Sequence, residues 1–234
     1  MNHGTTLPSV GEFTSVSFVP LNRTREPSPA RPVSQCGSFV ANQIIDELHQ
    51  PLAELARRIQ RVGAVSGGTV VLLTGSSRGV GCTTVALALS LVSAAERRTL
   101  LVDADLHEPR LASMFGLRPQ LSWEQVVGVG SLNQALQELQ SPGLSILAVK
   151  APARPTALSR SCAIECLTRL RQEFSLIVLD GGAVWDSGTQ WSPLVDVALV
   201  VCDSGRKVGD EWAGAWDRLE EAGTQVLGIV ETFA

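Results

Sequence analysis

Glycines, hydroxyls and a thiol are concentrated in one short stretch of the chain. The residues TGSSRGVGCTT, at positions 74–84, follow an apolar run and precede a helix-like pattern. Gly75, Gly79 and Gly81 permit tight turns, which would let backbone N–H groups surround an anion at the start of the helix. This pattern predicts a phosphate-binding loop. It is weak evidence by itself, because glycines also serve ordinary turns between a strand and a helix.

Carboxylates end two later apolar runs. The segment LLVDADLHEPRL contains Asp103 and Asp105, and the segment FSLIVLDGG contains Asp180. Ligands bind at the edge of a parallel sheet where its strands end. Two carboxylates two positions apart at that edge repel each other unless a cation or hydrogen-bond donors offset their charge. The carboxylates of Asp103 and Asp180, together with the hydroxyl of Thr83, predict a Mg²⁺ site. The alternative for Asp105 is to cap the turn that follows it.

The rest of the chain alternates strand-like and helix-like patterns. Predicted strands are Thr69–Thr74, Leu100–Asp103, Leu144–Val149, Leu176–Asp180, Val197–Val201 and Val226–Val230, and the clearest helices are Thr83–Ala95, Cys162–Glu173 and Val208–Ala222. This alternation predicts an α/β fold with a doubly wound, mainly parallel sheet and helices on both faces. An earlier helical pattern, at 44–59, contains Pro51, where we expect a break or a kink.

The predicted domain organisation is simple. Residues 1–36 contain a segment dense in proline, arginine and serine, and we expect them to form a disordered or linker tail. Residues 37–234 form one predicted domain.

Composition excludes several functional classes. The 234 residues carry a formal net charge of −4, which argues against a protein that coats nucleic acid. No apolar run approaches the roughly 20 residues that span a bilayer, and the first residues do not form a secretion signal. The 5 cysteines are scattered and odd in number, as expected of reduced thiols.

Taken together, these motifs resemble the cytosolic domain of the bacterial tyrosine kinases, the BY-kinase family of polysaccharide export and chain-length control. The resemblance extends over about 70–230. GSSRGVGCTT is similar to the family's phosphate loop, LLVDADLHEPRL to its Walker A′ motif and LIVLDGG to its Walker B motif. The order of the three motifs is specific, and it implies the P-loop NTPase fold shared with the deviant-Walker ATPases that position septa and partition DNA.

The resemblance implies ATP and Mg²⁺ as cofactors. The residues expected to contact the nucleotide are Gly75, Ser76, Ser77, Arg78, Gly79, Val80, Gly81, Cys82, Thr83 and Thr84. If the domain is active, Asp103 and Asp105 are the expected catalytic residues. The resemblance also implies a cytoplasmic domain recruited to the inner face of the membrane by a membrane-embedded, co-polymerase-like activator. Homo-oligomers are implied as well, although the family's oligomerisation motif is only approximated by Glu54, Arg57 and Arg61.

The chain departs from the family pattern at positions that are expected to contact the nucleotide or take part in phosphoryl transfer. Cys82 stands in place of the phosphate-loop lysine, His107 in place of the Walker A′ arginine, and Glu231 where an asparagine commonly contacts adenine. The chain contains no tyrosine, whereas the kinases carry a tyrosine cluster. These departures predict a catalytically impaired pseudokinase or pseudo-ATPase. The resemblance implies that it regulates exopolysaccharide biosynthesis or export.

Two alternatives rest on individual residues. Arg78 lies in the loop and would supply a substitute charge in an active ATPase or protein kinase. Cys82 begins a helix, where a thiol pKa can be lowered, and would then act as a redox sensor. Trp185 and Trp191 would roof the nucleotide site, form a surface for a partner, or simply pack their own loop.

Overall fold

The computed structural model describes residues 16–17, 49–63, 67–127, 132–138, 143–150, 159–205 and 211–232. Its strands are β1 Val16–Ser17, β2 Thr69–Gly75, β3 Thr99–Asp103, β4 Leu136–Glu138, β5 Leu144–Leu147, β6 Leu176–Ala183, β7 Val197–Asp203 and β8 Val226–Thr232. Its α-helices are α1, described over 49–62, α2 Cys82–Ala94, α3 Leu111–Met114, α4 Trp123–Val127, α5 Leu132–Ala135, α6 Arg160–Glu173, α7 Thr189–Trp191 and α8 Glu211–Glu221. A π-helical turn, Val184–Gly188, and a 3₁₀ turn, Ser192–Leu194, flank α7.

The strands form one sheet in the order β1-β8-β7-β2-β6-β3-β5-β4. All neighbouring pairs are parallel except β4 with β5. The six predicted strands are all present, and the doubly wound α/β fold is confirmed. The sequence did not predict the antiparallel edge strand β4, because its three residues are too few to show a periodicity.

The central strands are apolar because both faces of the sheet are covered. All residues of β2, β3 and β7 are buried. One hydrophobic cluster packs α1 and α2 against one face, and a second packs α4, α6 and α8 against the other. Two-sided burial of this kind removes the polar alternation that a half-exposed strand would show.

Residues 49–62, which include Pro51, form the described part of helix α1, so the helix does not break at this proline. The alternative, a kink at Pro51, stays a prediction. Leu52, Leu55 and Ile59 are buried at helical spacing in the first cluster. Their packing against the sheet outweighs the local cost of proline. The part of the predicted helix before residue 49 lies outside the described residues.

Most of the predicted tail at 1–36 also lies outside the described residues. Within it, Val16 and Ser17 form β1 and pair with Val230 and Glu231 of β8. The expectation of a disordered tail stays a prediction.

A partly buried ion pair joins α6 to the edge at which the strands begin. Arg171 donates from Nη1 to Asp196 Oδ2 at 2.7 Å and from Nη2 to Asp196 Oδ1 at 3.0 Å. The same Nη1 donates to the Gly68 carbonyl, while the Val70 N–H donates to Asp196 Oδ2. The carboxylate therefore satisfies donors from both a helix and a strand.

We expect Asp196→Ala to lower the free energy of unfolding by about 2–4 kcal/mol, because it removes the carboxylate that neutralises Arg171 and leaves Arg171 Nη2 and the Val70 N–H without their acceptor. The exposed i,i+4 pair of Glu165 and Arg169 offers a matched control. Glu165→Gln should cost about 0.5 kcal/mol or less. Urea unfolding of the three proteins measures both effects, and equal losses would contradict the argument.

Candidate phosphate-binding site

The phosphate loop connects β2 to α2, as its motif predicts. Gly79 and Gly81 adopt φ values of 82° and 88°, in the left-handed region that favours glycine. A side chain at Gly75 would also come within 2.7 Å of the Ser77 carbonyl oxygen. The loop is anchored where the Ser76 N–H donates to the Val201 carbonyl at 2.8 Å. Its glycines are therefore required by the backbone path.

Asp103 and Asp180 lie side by side at the carboxyl edge of the sheet. They are register partners at the ends of β3 and β6, and both are buried. Asp103 Oδ2 accepts a hydrogen bond from the Leu111 N–H at 2.8 Å. Asp180 accepts hydrogen bonds from the side chains of Thr83 and Cys82. The predicted grouping of the loop with these two carboxylates is thus what the structure shows.

These carboxylates retain capacity to bind a cation. Within the described part of the chain, Oδ1 of Asp103 and Oδ1 of Asp180 are buried and have no hydrogen-bond partner. Unpartnered carboxylate oxygens beside the Thr83 hydroxyl fit the preference of Mg²⁺ for oxygen ligands. In the same part of the chain, no group of three His, Cys, Asp or Glu side chains forms a complete metal cage. Mg²⁺ commonly keeps several waters and substrate phosphates as ligands, so this donor set fits it.

Burial changes the protonation of the pair. Desolvation, followed by the charge of Asp180, raises the pKa of Asp103 well above its ordinary value. Desolvation also raises the pKa of Asp180, although the hydrogen bonds from Thr83 and Cys82 oppose the shift. Cation binding would offset both charges.

The Cys82 thiol is buried and donates a hydrogen bond to Asp180. Desolvation, together with the charge of Asp180, raises the pKa of this thiol well above its ordinary value. This burial favours a structural cysteine over the reactive, low-pKa thiol of the sensor alternative. A neighbouring buried carboxylate disfavours a second negative charge more strongly than the helix dipole favours it.

Asp105 organises the turn after β3. Its Oδ1 accepts from the backbone N–H groups of His107 and Glu108 and from the Ser187 hydroxyl, at 2.9, 3.1 and 3.1 Å. This is the capping geometry of the structural alternative. The catalytic role expected of Asp105 stays a prediction, and His107 itself is exposed.

Arg78 points to carboxylates that surround the loop. Its Nε contacts Asp186 Oδ2 at 2.7 Å, and its Nη1 contacts Asp105 Oδ2 at 3.3 Å and Glu108 Oε2 at 3.2 Å. Asp186 was missed by sequence reasoning, because a lone acid in a loop carries no periodic or spacing signal.

The two tryptophans after β6 have different surroundings. Trp185 is 53% exposed, and its indole N–H donates to the Ser76 carbonyl of the phosphate loop at 3.2 Å. Trp191 is buried, donates to the Ala104 carbonyl and packs against Trp123. Thus Trp185 lies against the loop, whereas Trp191 belongs to the core.

The last strand also contacts the loop. The Thr232 hydroxyl lies 2.6 Å from the Val80 carbonyl and 3.1 Å from the Cys202 carbonyl. A side chain at Gly81 would first meet Thr232. Sequence reasoning missed Thr232, although its position next to Glu231 in the closing strand was a signal.

The fold and this site define a P-loop α/β protein. The kinase domain of the Escherichia coli tyrosine kinase ETK superposes with a TM-score of 0.75 at 19% identity, covering 92% of this chain and 84% of that domain. The VpsO kinase domain gives 0.69 at 25% identity, covering 85% and 96%. The Pyrococcus furiosus cell division ATPase MinD gives 0.58 at 21% identity, covering 69% and 70%.

Sequence similarity gives the narrower assignment. Tyrosine-protein kinase ptk of Acinetobacter johnsonii is 26% identical over 167 residues, which cover 69% of this chain and 23% of that protein. EpsB of Ralstonia nicotianae is 29% identical over 189 residues, covering 77% and 25%. Over most of its length this chain is therefore similar to bacterial tyrosine-protein kinases, and it spans about a quarter of the length of these relatives. No protein-family model matches the chain.

Among the helices of the described ranges, none combines the length and the apolar character of a membrane span.

We expect Asp103→Asn to stabilise the protein at neutral pH. An acid whose pKa is raised by folding binds more protons in the folded state, so stability falls as pH rises above the ordinary pKa of about 3.9. Asparagine removes this loss and can keep the Leu111 hydrogen bond. The variant's advantage in urea unfolding, measured without Mg²⁺, should grow between pH 4.5 and 7.5. Glu173→Gln, an exposed change, is the control; a pH-independent advantage would contradict the argument.

We expect Cys82 to alkylate more slowly than Cys162 in the folded protein. Cys82 is buried beside Asp180, whereas Cys162 is half-buried. Iodoacetamide labelling at pH 8, followed by peptide mass spectrometry, measures both rates, and urea-unfolded protein provides the reference. Faster labelling of Cys82 would restore the redox-sensor alternative.

Proposed function

We propose that this chain is a catalytically impaired, BY-kinase-like P-loop domain that regulates exopolysaccharide biosynthesis or export. The observation that carries the proposal is the occupant of the lysine position. Cys82 places there a buried, neutral thiol that donates to Asp180. The thiol supplies one hydrogen bond and no positive charge.

Phosphoryl transfer depends on positive charge near the β- and γ-phosphates. Removal of one such stabilising group typically costs a factor of about 10²–10³ in rate. Binding depends less on this charge, because Gly75, Gly79 and Gly81 keep the backbone cradle. We therefore propose that a nucleotide is held but is turned over negligibly.

Mg²⁺, when bound, supplies charge neutralisation for the phosphates. Thr83, Asp103 and Asp180 would hold it at the carboxyl edge of the sheet. The unpartnered oxygens of the two carboxylates support this assignment. The proposed cofactors are therefore ATP and Mg²⁺.

The two alternatives receive less support. In an active enzyme, Arg78 would have to turn toward the phosphates, yet its guanidinium contacts three carboxylates. A redox sensor needs a reactive thiolate, yet burial raises the pKa of Cys82.

The proposed partner is a membrane-embedded activator of the co-polymerase type, acting on a cytoplasmic domain. Similarity to tyrosine-protein kinases supports this partner. Oligomerisation through α1 is proposed on the same basis, although Glu54 contacts Arg57 and Arg58 within its own helix. Co-purification of the chain with detergent-solubilised membrane proteins of the cells that produce it tests the partner.

We expect Cys82→Lys to raise affinity for ATP plus Mg²⁺ by about 10-fold or more, because a charged hydrogen bond to phosphate contributes about 1.5–3 kcal/mol. Cys82→Met is the matched control, since it removes the thiol and adds length without charge. Calorimetry measures binding, and steady-state phosphate release measures turnover, which should be negligible in the unmodified protein.

Robust turnover in the unmodified protein would contradict the proposal. If Arg78→Ala abolished that turnover, arginine would be the functional substitute for lysine. Undetectable binding in both the unmodified protein and Cys82→Lys would show a purely structural loop.

A further inference from the structure

Three loops at the carboxyl edge of the sheet meet at one guanidinium. Arg78 lies in the phosphate loop, Asp105 and Glu108 lie after β3, and Asp186 lies in the π-helical turn after β6. We call these four residues the arginine clamp. The contacts of 2.7, 3.3 and 3.2 Å given above join Arg78 to all three acids.

The clamp has a buried side and an accessible side. The Asp105 side chain is 7% exposed, and its other oxygen already serves the turn and Ser187. Asp186 is 31% exposed and Glu108 is 54% exposed. Asp105 is therefore held in place by its surroundings. Glu108 and Asp186 are exposed enough for water to hydrate their carboxylates when they separate from Arg78.

A second set of contacts fastens the same turn to the loop. The Trp185 indole N–H donates to the Ser76 carbonyl, and the Ser187 hydroxyl donates to Asp105 Oδ1. Gly182, at φ 63°, allows the close approach, since a side chain there would lie 2.3 Å from Asp105 Oδ2. Trp185 and Asp186 thus contact the phosphate loop, and Ser187 contacts Asp105.

The charges of the clamp oppose an incoming anion. Arg78 supplies the one positive charge of the clamp, and Arg110, outside the clamp, contacts Glu108 at 3.0 Å. Asp105, Glu108 and Asp186 supply three negative charges. A phosphate that approaches the loop therefore meets net negative charge at the clamp and an arginine whose Nε and Nη1 already contact carboxylates.

We propose that the arginine clamp gates the phosphate loop, and that a phosphate or polyphosphate ligand must displace Asp186 and Glu108 from Arg78 in order to bind. Without ligand, Arg78 stays paired with Asp186 and Glu108 and holds the loop closed. When these pairs break, Arg78 donates hydrogen bonds to the ligand phosphate. This deepens the proposed function and rests on the part of it that gives the loop an anion.

The test compares binding of inorganic pyrophosphate and of ATP plus Mg²⁺ by calorimetry. Asp186→Asn and Glu108→Gln should each raise affinity by about twofold to fivefold, the range expected for one exposed ion pair. The gain should shrink between 50 and 500 mM salt, as roughly expected from screening. Glu173→Gln, which removes an exposed charge from the end of α6, controls for net charge.

Arg78→Ala in the Asp186→Asn background separates a latch from simple charge repulsion. If released Arg78 contacts the ligand, the added substitution should abolish the gain in affinity. Hydrogen exchange without ligand supplies a second reading, since the amides of residues 77–83 should exchange faster in Asp186→Asn than in the control.

Equal affinities for Asp186→Asn and Glu173→Gln would contradict the proposed gating by the arginine clamp. Undetectable binding in every variant would contradict it as well. A gain that survives Arg78→Ala would overturn the role of Arg78. Robust hydrolysis by the unmodified protein would instead contradict the proposed catalytic impairment. The comparison of affinities among the variants would still test whether the clamp gates the loop.

Discussion

Two carboxylates buried in adjacent strands impose the main constraint on this structure. Asp103 and Asp180 end β3 and β6 in register, and burial makes their joint ionisation costly. Their surroundings supply donors from three places: the Leu111 N–H, the Thr83 hydroxyl and the Cys82 thiol. The path of the phosphate loop and the turn after β3 both follow from the need to provide these donors.

The occupant of the lysine position is explained by the same constraint. A thiol is small enough to be buried at the start of α2, and it can donate to Asp180. It donates one hydrogen bond to the carboxylate without placing a positive charge where a nucleotide's phosphates would lie. Cys82 therefore preserves the architecture of a P-loop while removing the charge that phosphoryl transfer depends on.

Arg78, the one basic residue in the phosphate loop, pairs with acids that lie outside the loop. Arg78 is flexible enough to reach Asp186 and Glu108, and Asp105 is fixed nearby by its own turn. The same side chain that would replace lysine in an active enzyme thus closes the loop. Trp185 strengthens this closure through the Ser76 carbonyl. Architecture and electrostatics here favour different states, since the backbone can cradle an anion while the side chains repel one.

The sequence alone determined the alternation of strands and helices, the phosphate loop, and the meeting of Asp103 with Asp180 at one edge. These features are local or follow from parallel topology: apolar runs form the strands, glycines allow the loop, and the ends of parallel strands converge. Only the tertiary structure decided how Arg78 and Cys82 are used. Arg78 pairs with acids up to 108 positions away, and Trp185 contacts a carbonyl 109 positions away. The pKa of Cys82 is raised by burial and by the Asp180 carboxylate at the carboxyl edge of the sheet. Such partners leave no periodic trace, because charge and burial act through space and not along the chain.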